Sequence, residues 1–141
     1  MAITQISTGD WETLGPAASE IRRQVFIDEQ NVPQEEEWDG LDTECLHFLA
    51  MLDGQPVGTA RLLPDAHIGR VAVLANARGT GIGVLLMQAA IEAARQAGHS
   101  QVALSAQVHA LAFYERLGFV AHGEEFMDAG IPHREMTLSL D

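Results

Sequence analysis

An α/β fold follows from three features of this 141-residue sequence. Its elements run in the order β-α-β-β-β-α-β-α-β-β, apolar positions recur with strand or helix period, and a glycine run, RGTGIG (78–83), joins a strand to a helix. At 15.3 kDa and 47% hydrophobic, residues 1–141 are expected to form one domain. A chain of this length buries roughly two-thirds of its unfolded surface.

The elements are read in order. A short strand covers 2–6. Pro16 suits a first helical turn, and the helix it opens runs to about Asp28 with Ala17, Ile21 and Val25 on one face. An acidic stretch, EEEWDGLDTE (35–44), reads as a loop inside the domain. CLHFLAML (45–52) and PVGTARLL (56–63) flank Asp53-Gly54, the signature of a two-residue hairpin turn. A strand at 68–74 leads into the glycine loop, and a helix from Ile82 to about Ala97 ends at Gly98 with Arg95 in its last turn. VALSA (102–106) is a buried strand, 110–118 a short helix, and 119–122 and 134–140 are closing strands.

Composition excludes several functions. The formal net charge of -12 argues against nucleic acid, which needs a basic footprint. All eight basic residues are arginines. Without lysine there is neither a Walker phosphate loop nor a pyridoxal Schiff base. Cys45 is the single cysteine, so no internal disulfide forms and a reducing compartment is permitted. The N-terminus lacks the basic and apolar regions of a signal peptide, and no apolar run is long enough to cross a membrane. The expected location is cytoplasmic, with no membrane partner. The histidines form no HxxxH pair, so no metal site is read.

Glycines at 79, 81 and 83 permit positive φ and leave backbone N–H groups unshielded. Between a strand and a helix, such a loop can aim its amides and the helix dipole at an anion. The dinucleotide fingerprint fails, because Val84 stands where its third glycine belongs and three strands precede the loop. A nucleotide pyrophosphate in another fold is the reading that fits.

VAVLANARGTGIGVLLMQAAIEAA resembles motif A of the GNAT superfamily of N-acetyltransferases, Q/R-x-x-G-x-G/A, with Arg78, Gly81 and Gly83 at its fixed positions. QVHALAFYERLGF resembles motif B, with Ala110, Phe113, Tyr114, Gly118 and Phe119 in place and Gln107 where Asn is usual. VFIDEQNVP, LHFLA and GIPH are similar to the small bacterial ElaA-like branch. The resemblance implies a mixed, mostly antiparallel central sheet flanked by helices and splayed between strands 68–74 and 102–106. It implies acetyl-CoA as cosubstrate, its pantetheine along Val71, Ala72 and Val73, and its pyrophosphate on Arg78, Gly79, Thr80, Gly81, Ile82 and Gly83. Gln107 and Tyr114 would complete the cofactor contacts. The partners implied are acetyl-CoA and an amine of a small molecule, peptide or protein, with a homodimer left open.

Direct transfer in a ternary complex needs a base for the amine and an acid for the thiolate. The resemblance makes Tyr114 the acid. For the base the residues leave Glu29, His47 and His133 open, along with a water relay; His47 equally suits a core position. The acidic loop either draws a protonated amine or is simply solvated, and its charge makes Cys45 a poor nucleophile. Two other classes fit the residues: a non-catalytic acyl-CoA-binding or regulatory module, and a partner-binding domain whose glycines only shape a turn.

Overall fold

The computed structural model describes residues 3–141, in which seven strands form two antiparallel sheets. β1 (Thr4–Gly9), β2 (Leu46–Leu52), β3 (Gln55–Leu62) and β4 (Ile68–Val73) pair in chain order. β5 (Gln101–Gln107), β6 (Val120–Asp128) and β7 (Ile131–Ser139) form the second sheet in the order β5-β7-β6. The sheets meet at a parallel bridge between His67 and Ala103, where Ala103 N donates to Ala66 O at 3.1 Å. Past that bridge β4 and β5 belong to different sheets, which is the splay expected between 68–74 and 102–106.

Helix α1 (Trp11–Arg22) starts earlier than expected. Asp10 caps it by accepting from Thr13 N at 2.9 Å, and Pro16 lies inside the helix rather than in its first turn. The missing proline N–H leaves one carbonyl without its helical donor. Burial of Leu14, Ala18 and Ile21 outweighs that loss. The helix then widens into a π-helical segment, Arg23–Glu29, where Gln30 N reaches back five residues to Val25 O. Helix α2 (Gln34–Glu37) interrupts the acidic stretch, α3 (Ile82–Gln96) follows the glycine loop, and α4 (Leu111–Arg116) follows β5. The first strand extends to Gly9 instead of stopping at residue 6, and Ala2 lies outside the described residues.

The first sheet is covered on both faces, which explains the nearly continuous burial of β2 and β3. Phe48, Ala50, Ala60 and Leu62 pack on Ile82, Leu86, Met87 and Ala90 of α3. On the other face Leu49 and Ala72 meet Leu14, Ile21 and Val25. The β2–β3 turn is the one the sequence specifies: Asp53 (φ 50) and Gly54 (φ 82) both take positive φ. In β6, by contrast, almost every residue is exposed, so no apolar alternation announces a strand running well past residue 122. GIPH is the entry to β7 across a hairpin turn at Ala129-Gly130.

The acidic stretch is only partly the solvated loop that was one of its two readings. Glu37 and Asp42 are buried, and with Asp39 they are bound by three arginines. Arg22, 1% exposed, donates to Glu37 Oε2 at 3.0 Å and Asp42 Oδ1 at 2.7 Å while lying between the rings of Trp11 and Trp38. Arg61 bonds Asp39 and Asp42; Arg70 reaches Glu37 and Asp39. Guanidinium forks suit this arrangement because each can serve two carboxylates at once. Half of the loop's negative charge is therefore structural, leaving Glu35, Glu36 and Glu44 exposed.

Candidate active site

The splay opens a cleft of about 810 Å³ whose walls are β4, β5, the segment around Phe26–Val32 and the β6–β7 turn. A hollow of about 530 Å³ continues from it over the glycine loop, sharing Val71, Val73, Arg78 and Ala110. A bulge in β4 shapes the wall. Gly69 pairs with Arg61 and Ala72 with Thr59, so Arg70 and Val71 together oppose Ala60. Arg70 takes φ +50 there, strained for a non-glycine residue, and its guanidinium is held by Glu37 and Asp39.

In the loop, Gly79 and Gly81 have φ +78 and +85, and a Cβ on either would meet nothing within 4 Å. The space above them is open. Gly81 precedes the first turn of α3, whose first helical hydrogen bond is Leu85 N to Gly81 O. The amides of Ile82, Gly83 and Val84 therefore lack helical partners and suit an anion. Gly83 has a different reason to be glycine: a Cβ there would come within 3.2 Å of the Phe113 ring. Ile82, 1% exposed, anchors the loop in the core.

The cleft brings together Glu29, Val71, Ala72, Val73, Arg78, Gln107 and Tyr114, while Gly79, Gly81, Ile82 and Gly83 line the hollow. Thr80 is exposed, and its hydroxyl is engaged locally, donating to Ala77 O. Arg78 grips both Glu29 oxygens at 2.7 Å and donates from Nε to Val73 O at 2.9 Å. The Arg78 guanidinium holds the Glu29 carboxyl below the usual range, which makes Glu29 a weak base.

His47 is not brought to the cleft. It is 1% exposed under α1, with its ring centroid 4.8 Å from that of Trp11 and Nε2 donating to Asp42 O at 2.8 Å. Burial lowers its pKa, and it lines neither the cleft nor the hollow. Cys45 is buried too, and burial raises its thiol, in keeping with a packing role.

Tyr114 packs edge-on to Phe113 and Phe119, with centroids at 5.0 and 6.1 Å. Burial pushes its hydroxyl up to about 12, so it stays protonated throughout the neutral range. Its hydroxyl has no hydrogen-bond partner among the described residues. His133, on β7, also lines the cleft. Sequence reasoning missed Gln30: its Oε1 accepts from Gln107 Nε2 at 2.9 Å, tying the two lips together. These residues are 77 positions apart, and no spacing rule links them.

Comparison with known proteins agrees with this geometry. Residues 14–140 match the family model described as an acetyltransferase (GNAT) domain. The N-acetyltransferase YjcF of Bacillus subtilis is 41% identical over 120 residues, 82% of this chain and 86% of YjcF. Among solved structures, an acyl-CoA N-acyltransferase from Pseudomonas aeruginosa is 34% identical with a TM-score of 0.83, covering 97% of this chain and 100% of that one. Escherichia coli ElaA is 29% identical with a TM-score of 0.85, again covering 97% and 100%.

Proposed function

This chain belongs to the GNAT family of acetyltransferases, and from that premise we propose that its cleft seats acetyl-CoA and passes the acetyl group directly to an amine. The observation that carries this reading is the continuity of the glycine-loop hollow with the splay between β4 and β5. The pyrophosphate fits the open amides of residues 78–83. The pantetheine fits along Val71–Val73, a strand edge that β5 has left unpaired past the His67–Ala103 bridge. The acceptor enters from the other end, where Glu36, Asp65 and Asp128 line the wall and favour a cationic amine. An enzyme is favoured over a pure acyl-CoA binder because Tyr114, a proton donor, faces the same cleft.

Acetyl-CoA should bind with micromolar-scale affinity, about 8 kcal/mol. Calorimetry and a rise in melting temperature check this; no heat and no shift at millimolar ligand would overturn it. The loop is tested separately. Gly81→Val fills the space over the amides and forces a β-branched residue to φ +85, while Gly83→Val drives into Phe113, which lines the same hollow. Both should lose acetyl-CoA binding and keep a folded core. A folded variant with unchanged affinity would place the pyrophosphate elsewhere.

Helix length bears on location only narrowly: among the described residues no helix is long and apolar enough to cross a membrane. We retain the cytoplasm as the expected site of action.

A further inference from the structure

We propose that His133 is the general base of the transfer, its Nε2 receiving the proton of the acceptor amine; this deepens the acetyl-transfer reading and rests on it. The first support is the tautomer. His133 Nδ1 lies 2.6 Å from Ile131 O. A carbonyl oxygen only accepts, so Nδ1 carries the hydrogen, and in the neutral ring Nε2 is left with a bare lone pair. The second is orientation. The residue is only 8% exposed and its ring stacks on Phe126, with centroids 5.8 Å apart and planes 25° apart, so its direction is set by packing. The third is placement. His133 lines the cleft with Tyr114, and it is the β-ladder partner of Gln107, the last residue of β5.

The rival bases are each accounted for. Glu29 is held by Arg78, and His47 is sealed beneath α1. His67 lines the cleft but is 46% exposed and pairs with a 65% exposed Asp65, a solvent-facing couple. The other titratable groups sharing the cavity are Asp128 at the end of β6, His109 beyond β5, Glu36 and Glu37 of α2, and Tyr114 of α4. Arg61, Arg70 and Arg78, also in its walls, are all paired with carboxylates. Glu135, two residues along β7, accepts from Ser105.

The step balances. The acceptor ammonium first gives one proton to solvent; the neutral amine nitrogen then bonds to the thioester carbonyl carbon and the carbon–sulfur bond breaks. The surplus proton on nitrogen goes to His133 Nε2, and the thiolate takes the Tyr114 hydroxyl proton. One proton returning from the imidazolium to the tyrosinate through water restores both groups.

Two measurements test this. Imidazole 15N shifts of the 15N-labelled protein above neutral pH should show His133 protonated at Nδ1 and bare at Nε2; an Nε2–H tautomer overturns the proposal. Single-turnover thiol release from bound acetyl-CoA, with ethylamine as probe acceptor, should fall about 10²-fold in His133→Gln. Added imidazole should restore rate to His133→Ala. Calorimetry of acetyl-CoA with His133→Gln guards against misfolding, since affinity should be unchanged. A variant that binds acetyl-CoA normally and reacts at the parental rate overturns the proposal. Failure of the parent itself to bind acetyl-CoA would instead sink the acetyl-transfer reading.

Discussion

Arg22→Met is expected to destabilise the protein by about 3 kcal/mol, lowering the melting temperature by roughly 10 °C. The arginine is buried, and its guanidinium serves Glu37 and Asp42 together. In the parent, Arg22, Arg61 and Arg70 face Glu37, Asp39 and Asp42, three charges of each sign. Removing one cation leaves a buried carboxylate uncompensated, and that imbalance, rather than the lost attraction, dominates the cost. Arg22→Lys keeps the charge but not the fork or the stacking between Trp11 and Trp38, so it should fall between the two. The network also sets the acid response. Asp39 is held far below the usual carboxylate range chiefly by its hydrogen bond from Arg61, and Asp42 is lowered as well because its bonds to Arg22 and Arg61 outweigh burial, the largest single influence on it. Depressed folded-state values mean stability that is present above the unfolded value of 3.8 and lost as pH falls below it. Acid unfolding of the parent should therefore begin below about pH 4, and Arg22→Met should unfold at higher pH. Denaturant melts across pH check both; equal stability of Arg22→Met and parent would show that the cluster contributes nothing.

The same cluster shows where the sequence was opaque. A run of six carboxylates reads as solvated because nothing local announces three arginines arriving from α1, β3 and β4. That all eight basic residues are arginines was visible, but their use was not. Likewise His47 sits on a strand whose alternation is hidden by burial on both faces, so a core histidine and a cleft histidine read alike. What was legible is what is local. Asp53-Gly54 demands positive φ at two successive residues, and the turn follows. The glycines at 79 and 81 demand the same, and the loop opens where they fall. Cross-cleft links such as Gln30–Gln107 exist only once two sheets have been brought together.

Tyr114→Phe should lower single-turnover acetyl transfer by about 10²–10⁴ while leaving acetyl-CoA affinity nearly unchanged. The substitution keeps the ring, and with it the edge contacts to Phe113 and Phe119, so folding should be spared. Only the hydroxyl is lost. In the parent that hydroxyl is held neutral by burial, up to about 12, and has no partner among the described residues, so it can donate to sulfur as the carbon–sulfur bond breaks. An ordinary thiol has a pKa near 8.5, so the phenol is the weaker acid. Full transfer of its proton is uphill unless a proton reaches it from elsewhere. A loss near 10² would mark Tyr114 as a hydrogen-bond donor to the developing thiolate, and a loss near 10⁴ as its proton source. The pH profile separates the two further. A tyrosine raised this far should sustain turnover past pH 10, where an ordinary one would ionise and fail. Rapid-mixing measurement of thiol release at fixed saturating acetyl-CoA reads the chemical step directly. A rate for Tyr114→Phe equal to the parent's would mean that the ring only packs and that water protonates the leaving group.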